Sequence, residues 1–113
     1  MNEIVIIGNV VGNIESAISN GGVCFAKFIV AVDRLYCDNN GEKITDYFHV
    51  IAYRGLGDRC MQSLIIGDKV AVSGSMQSRK YTDRYGVERM QWGLNADTVE
   101  LLSPRKTPEI EHI

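Results

Sequence analysis

Between Gln77 and Trp92 the chain reads QSRKYTDRYGVERMQW, with two tyrosines and four basic residues around a turn at Gly86. Side chains of these types do not make or break bonds. An aromatic ring offers a face on which another flat ring can stack, and a guanidinium or ammonium group offers charge and donors to an anion. The same association recurs earlier in the chain. Tyr36 follows Arg34, Tyr53 precedes Arg54, and Tyr47 stands on the stretch that leads to them.

Other chemistry lacks its parts. The two histidines, His49 and His112, belong to no H-x-x-H or H-E-x-x-H pattern, and the carboxylates are scattered. Cys24, Cys37 and Cys60 are odd in number and form no C-x-x-C. That argues against a disulfide framework and a zinc site, and for reduced thiols in the cytoplasm. Neither G-x-S-x-G nor G-x-x-x-x-G-K-[ST] occurs. No enzyme, metal or cofactor is expected.

The elements that must position the rings and cations read mostly as strands. EIVIIGNVVG is β-branched and interrupted by Gly8 and Gly12, and SNGG after it signals a turn. VCFAKFIVAVDRLY is a longer second strand and ITDYFHVIAYR a third. In GLGDRCMQSLIIGD, Leu56, Cys60 and Leu64 recur every four residues, with Met61 and Ile65 one step on. That spacing predicts one short helix closing at Gly67. KVAVSGSMQSRKYT and MQWGLNADTVELL, joined by a hairpin at DRYGVER, are strands four and five. The gaps are too short for repeated crossover helices, so the sheet should be mainly antiparallel. The fold class is all-β with one short helix: a five-stranded antiparallel OB-fold barrel, its helix between strands three and four. Residues 1–102 form this domain, and 103–113 (SPRKTPEIEHI) are a polar tail.

Bulk properties fit a single soluble domain: 113 residues, 45% hydrophobic and 23% charged, with net charge −2. The short apolar start is no signal peptide, and no apolar run approaches the roughly 18 residues of a membrane span. Any anion-binding surface must therefore come from local clustering of bases.

Side-chain alternation sorts the candidates. On the fourth strand Val70, Val72, Gly74 and Met76 share the inner parity, leaving Gln77, Arg79 and Tyr81 outside. Lys80 falls where the strand leaves the sheet, and Arg84, Tyr85 and Arg89 extend the surface into the hairpin. On the third strand Tyr47, His49, Ile51 and Tyr53 lie opposite Phe48, Val50 and Ala52. Phosphates need bases along a groove and unpaired nucleobases stack on exposed rings, so this surface suits a single strand of nucleic acid. Met90, Trp92, Leu94 and Ala96 share the apolar parity of the fifth strand. Trp92 is therefore expected in the core or a subunit interface, unresponsive to such a ligand.

With these residues in place, the chain resembles the bacterial single-stranded-DNA-binding protein family. IVIIGNVVGNIE, NGGVCFAKFIVAVDR, DYFHVIAYR, SGSMQSRKYTDRYG and ADTVELL resemble its successive strands, in order, over residues 2 to about 102. The resemblance implies sequence-independent binding of single-stranded DNA in replication, recombination, repair or DNA uptake, by a homotetramer with no enzymatic activity and no cofactor. It implies stacking roles for Tyr36, Tyr47, Tyr53 and Tyr81, and a basic pair at Arg79 and Lys80. Charge and position add Arg34, Arg54, Arg84 and Arg89 as phosphate contacts. An apolar first strand on both parities also favours a homo-oligomer.

The chain departs from the family pattern in three places. Tyrosine stands at all four stacking positions where the family often has tryptophan. Ile65 and Ile66 stand where the family often has bases, and are expected on the core face of the helix. PEIEHI replaces the usual linker and acidic, aromatic-ended tip, so recruitment of replication and repair proteins is not expected. The alternatives are a dimeric OB adaptor related to the primosomal replication protein, and an assembly protein that has lost DNA binding.

Overall fold

The computed structural model describes residues 1–19 and 21–103. The expectation of a polar tail, and of no recruiting tip, falls almost wholly on residues outside these. Five strands and one helix follow in the order β1 (Ile4–Ile18), β2 (Cys24–Cys37), β3 (Lys43–Tyr53), α1 (Arg54–Ser63), β4 (Lys69–Thr82) and β5 (Glu88–Leu101). The strands close into a barrel in the order β1-β2-β3-β5-β4. No helix among the described residues is long and apolar enough to cross a membrane.

Four of the five seams are antiparallel, as a mainly antiparallel sheet requires, and the closing one is parallel. β3 and β5 pair in parallel over a short contact, Val50 with Leu94 and Ile51 with Asn95. This follows from connectivity: α1 carries the chain across the barrel end between β3 and β4, so β5 returns beside β3 in the same direction. β1 also runs on past its expected interruption. At Gly12 (φ +75) the β1–β2 register shifts between Val11 and Glu15, and pairing then resumes to Ile18.

The inner parities are as read. Val10, Val30, Val50, Val70, Val72 and Leu94 are fully buried, with Phe28, Cys60 and Leu64 packed among them. Burial pushes the Cys60 thiol pKa up, and Cys24 and Cys37 are exposed free thiols. Helix α1 caps this core through Cys60, and Gly57 lets it approach the barrel wall. A Cβ at Gly57 would lie 2.5 Å from the Ala52 carbonyl oxygen and 3.0 Å from the Ala26 nitrogen. Both are backbone atoms, so Gly57→Ala should lift the helix and cost about 1–3 kcal/mol in urea unfolding. An unchanged midpoint would mean that the helix does not bear on the wall.

The helix stops at Ser63 rather than at Gly67. Leu64 turns extended into the core (φ −90, ψ 141), and the Ile65 N–H donates to Asp68 Oδ2 at 2.9 Å instead of continuing the helix. Gly67, at φ +95, completes the turn and donates to the Val10 carbonyl at 2.8 Å. Ile65 and Ile66 consequently lie exposed on that turn, not on a core face.

Candidate nucleic-acid interface

The outer face of β2 and β3 is a ladder of cross-strand pairs: Phe25 with Tyr53, Lys27 with Ile51, Ile29 with His49, and Ala31 with Tyr47. Rungs on one face recur every two residues, roughly 7 Å apart. Tyr47 stands 63% exposed at one end. Tyr53, half-buried, packs against Phe25 at 5.7 Å between ring centroids, tilted by 55°. That contact fixes the Tyr53 ring. Arg54 follows in the left-handed backbone region at φ 56, where a side chain with a Cβ is strained.

β4 and β5 are each 14 residues long, about 46 Å at strand rise, and outlast the barrel. Beyond the pair Met76–Leu94 they project as a two-stranded ribbon, Ser78 opposite Trp92 and Tyr81 opposite Arg89. Where ribbon and ladder diverge, a groove of about 340 Å³ opens, edged by Lys27, His49, Arg79 and Trp92. Trp92 is 56% exposed in the single chain, which excludes the barrel core but not the other expected place, a subunit interface. Its parity matches that of buried Leu94, but no core continues beneath the ribbon to receive it. Lys27 and His49 were also outside the sequence-derived set. The available signal for Lys27 was a cation set within an otherwise apolar strand.

The other predicted residues divide. Tyr81 is 47% exposed and shares the ribbon face of Arg79 and Gln77, as alternation requires. Lys80 lies on the reverse face, opposite Met90. Arg79, Lys80 and Arg54 make no ion pair with the described residues. Arg34 is held in a two-pronged pair: Nε donates to Asp46 Oδ2 at 2.9 Å and Nη2 to Asp46 Oδ1 at 3.0 Å. Its Nη1 donates to the Tyr36 hydroxyl at 3.2 Å, so Tyr36 and Arg34 form a separate cluster at the β2–β3 tip. Asp46 precedes Tyr47 in β3, so alternation directs this cluster away from the Tyr47 face.

At the β4–β5 tip, Asp83 accepts from the backbone N–H groups of Tyr85 and Val87 at 2.9 and 3.0 Å, and from Arg89 Nε at 3.0 Å. Arg84 stands over the Tyr85 ring at 5.3 Å. Arg34, by hydrogen bond and charge, holds the Asp46 carboxyl below its ordinary pKa; the Val87 N–H and Arg89 do the same for Asp83. A lowered folded-state pKa gives stability that is present above the unfolded value and lost as pH falls through the folded one. Both hairpin tips should therefore loosen in acid, below the ordinary carboxylate range. Arg34 in turn is driven further toward its charged form.

This surface has exposed rings, cations and a groove, and brings together no set of groups for bond chemistry. Among the described residues no cluster of His, Cys, Asp and Glu could hold a metal ion.

The description that matches residues 1–102 is that of the single-strand binding protein family. A single-stranded DNA-binding protein of Caldanaerobacter subterraneus subsp. tengcongensis is 30% identical over 105 residues, 93% of this chain and 70% of that protein. Single-stranded DNA-binding protein 2 of Listeria monocytogenes is 28% identical over 105 residues, 93% of this chain and 66% of that protein. A solved structure described as the Plasmodium falciparum SSB complex with ssDNA superposes with a TM-score of 0.79. It covers 91% of this chain and 96% of its own at 24% identity, which is a likeness of fold.

Proposed function

Because the chain belongs to the single-strand binding protein family, we propose that it binds and coats single-stranded DNA of any sequence and catalyses no reaction. The observation that carries this reading is the β2–β3 face. Tyr47 and Tyr53 stand there on the same face of β3 as His49 and Ile51, which line a groove edged by Lys27 and Arg79. Rings at strand spacing can each take a base, while the cations take the phosphates between them. Residues 1–102 are the binding unit. Tyr81 extends the stacking path along the ribbon, and Tyr36 adds a ring at the β2–β3 tip. Arg54, Arg79, Lys80 and Arg84 supply phosphate contacts, with Arg34 and Arg89 weakened by their carboxylate partners. Coating is tested by nuclease protection: oligo-dT saturated with the protein should resist a single-strand nuclease. Digestion at the rate of free oligo-dT would contradict the reading.

Asp46 gives a test with a signed effect. Asp46→Asn leaves the shape but releases the Arg34 guanidinium. Affinity for oligo-dT should rise, and the slope of log K against log salt should steepen by about 0.7, one phosphate's share. An unchanged slope would remove Arg34 from the DNA path.

The assembly we propose is a homotetramer in the cytoplasm, serving replication, recombination, repair or DNA uptake. Its support is the outer face of β1, where Val5 and Ile7 stand 69% and 51% exposed. An apolar strand face of this kind favours a symmetric partner. Light scattering at micromolar concentration should give four subunits. A dimer would favour the primosomal adaptor reading, and a monomer would exclude both.

A further inference from the structure

The groove holds a titratable side chain that no role yet uses. His49 is exposed on the outer face of β3, one rung from Tyr47 and two from Tyr53. Ile29 stands opposite it on β2. No hydrogen bond or ion pair among the described residues engages its imidazole. The ribbon approaches at this point. A Cβ at Gly93 would lie 3.6 Å from the His49 carbonyl oxygen and 3.9 Å from Ile51 Cδ1. The ribbon face turned to His49 is therefore that of Gly93, of its cross-strand partner Gln77, and of Arg79 by alternation.

The charges that face His49 along the groove come from three strands: Glu15 on β1, Lys27 on β2 and Arg79 on β4. β5 lines the groove without an ionisable side chain. Glu15 and Lys27 are cross-strand partners paired at 3.9 Å, so they offset each other. Two rungs from His49 towards the β2–β3 tip, Asp33 is held by Lys43 at 3.9 Å and by the Thr45 hydroxyl at 2.8 Å. Arg79 is left as the unpaired charge facing the imidazole. Histidine ordinarily changes its charge between about pH 5 and 8, and a phosphate brought beside it favours the charged form. We propose that His49 is a pH-dependent phosphate contact. When neutral it leaves the phosphate beside the Tyr47 stack to Arg79, and when protonated it binds that phosphate as well. Single strands are then held more tightly as pH falls. This rests on the proposed binding of single-stranded DNA and adds a regulation of the same site.

The test is titration of oligo-dT at about pH 5.5 and 7.5, in a range of salt around 0.1 M. Thymine does not ionise in this window, and the Asp46 and Asp83 carboxyls, held below their ordinary range, stay charged throughout it. Binding should be about fivefold tighter at the lower pH in 0.1 M salt, because one further phosphate contact steepens the slope of log K against log salt by about 0.7. His49→Gln should bring the ratio of the two affinities to about one. His49→Arg should show the steeper slope at both pH values. His112→Gln, at the other histidine of the chain, should keep the fivefold ratio. Thermal unfolding checks that each variant is folded, as the exposure of His49 predicts. Equal affinity at the two pH values would overturn the contact and leave single-strand binding standing. So would a pH dependence that survives in His49→Gln, which would point instead to Glu15 releasing Lys27. Failure to bind at either pH would overturn the functional reading itself and the contact with it.

Discussion

Removing the rings of both Tyr47 and Tyr81 should weaken binding to oligo-dT by about 2–6 kcal/mol, because each lost stack is worth about 1–3 kcal/mol. The two effects should nearly add. Tyr47 stands on the β3 ladder and Tyr81 on the projecting ribbon, and the two share no hydrogen-bond partner, the condition under which separate sites behave independently. Neither substitution should unfold the protein, since both rings are exposed and neither belongs to the core cluster. Anisotropy titrations of Tyr47→Ala, Tyr81→Ala and the double variant give the affinities, and thermal unfolding gives the control. Wild-type affinity in a folded double variant would show that the DNA takes another path. Tyr36→Ala should do less, because that ring stands in the Arg34 cluster on the other side of the β2–β3 tip.

The largest effect on stability is expected at Leu94. Its side chain is fully buried where β5 meets β3, opposite Met76 and paired with Val50. The parallel β3–β5 contact is short, so few other side chains can fill a void there. Leu94→Ala should cost about 2–5 kcal/mol in denaturant unfolding, the transfer term plus a cavity that the rigid barrel cannot collapse. Binding should suffer as well, because Asn95 and Gly93 on either side of Leu94 form one wall of the groove. A loss below about 1 kcal/mol would mean that the seam repacks freely and that closure does not depend on this residue.

Much of this architecture was legible in the sequence because most strands have one wet and one dry face. Val70 and Val72 against Arg79 and Tyr81, or Val50 and Ala52 against Tyr47 and Tyr53, sort by alternation alone, and the barrel confirms those sides. Trp92 marks where the rule stops. Alternation tells on which side a residue falls, not whether a core still lies on that side, and the ribbon outlasts the barrel beyond Leu94. Ile65 and Ile66 failed for another reason. The helical spacing continues through Ile65, but the Asp68 carboxylate takes its N–H and Gly67 turns the chain, which apolar periodicity does not register. The neutralisation of Arg34 by Asp46 was also out of reach. It depends on the β2–β3 register, which places Val32 rather than Arg34 opposite Asp46 and sets the two side chains within bonding distance. The groove itself arises where β3 and β5 part after a two-pair parallel contact, a long-range event with no local signature.

One titration tests the central claim most directly: the affinity for oligo-dT and for a duplex of equal length, measured across a range of salt concentrations. Exposed rings need unstacked bases, so the single strand should bind far more tightly than the duplex. Its log K should fall linearly with log salt at about −0.7 per phosphate neutralised, roughly −3 for the four cations Arg54, Arg79, Lys80 and Arg84, which no carboxylate among the described residues holds. Equal affinity for the two forms, or single-strand binding indifferent to salt, would contradict the account.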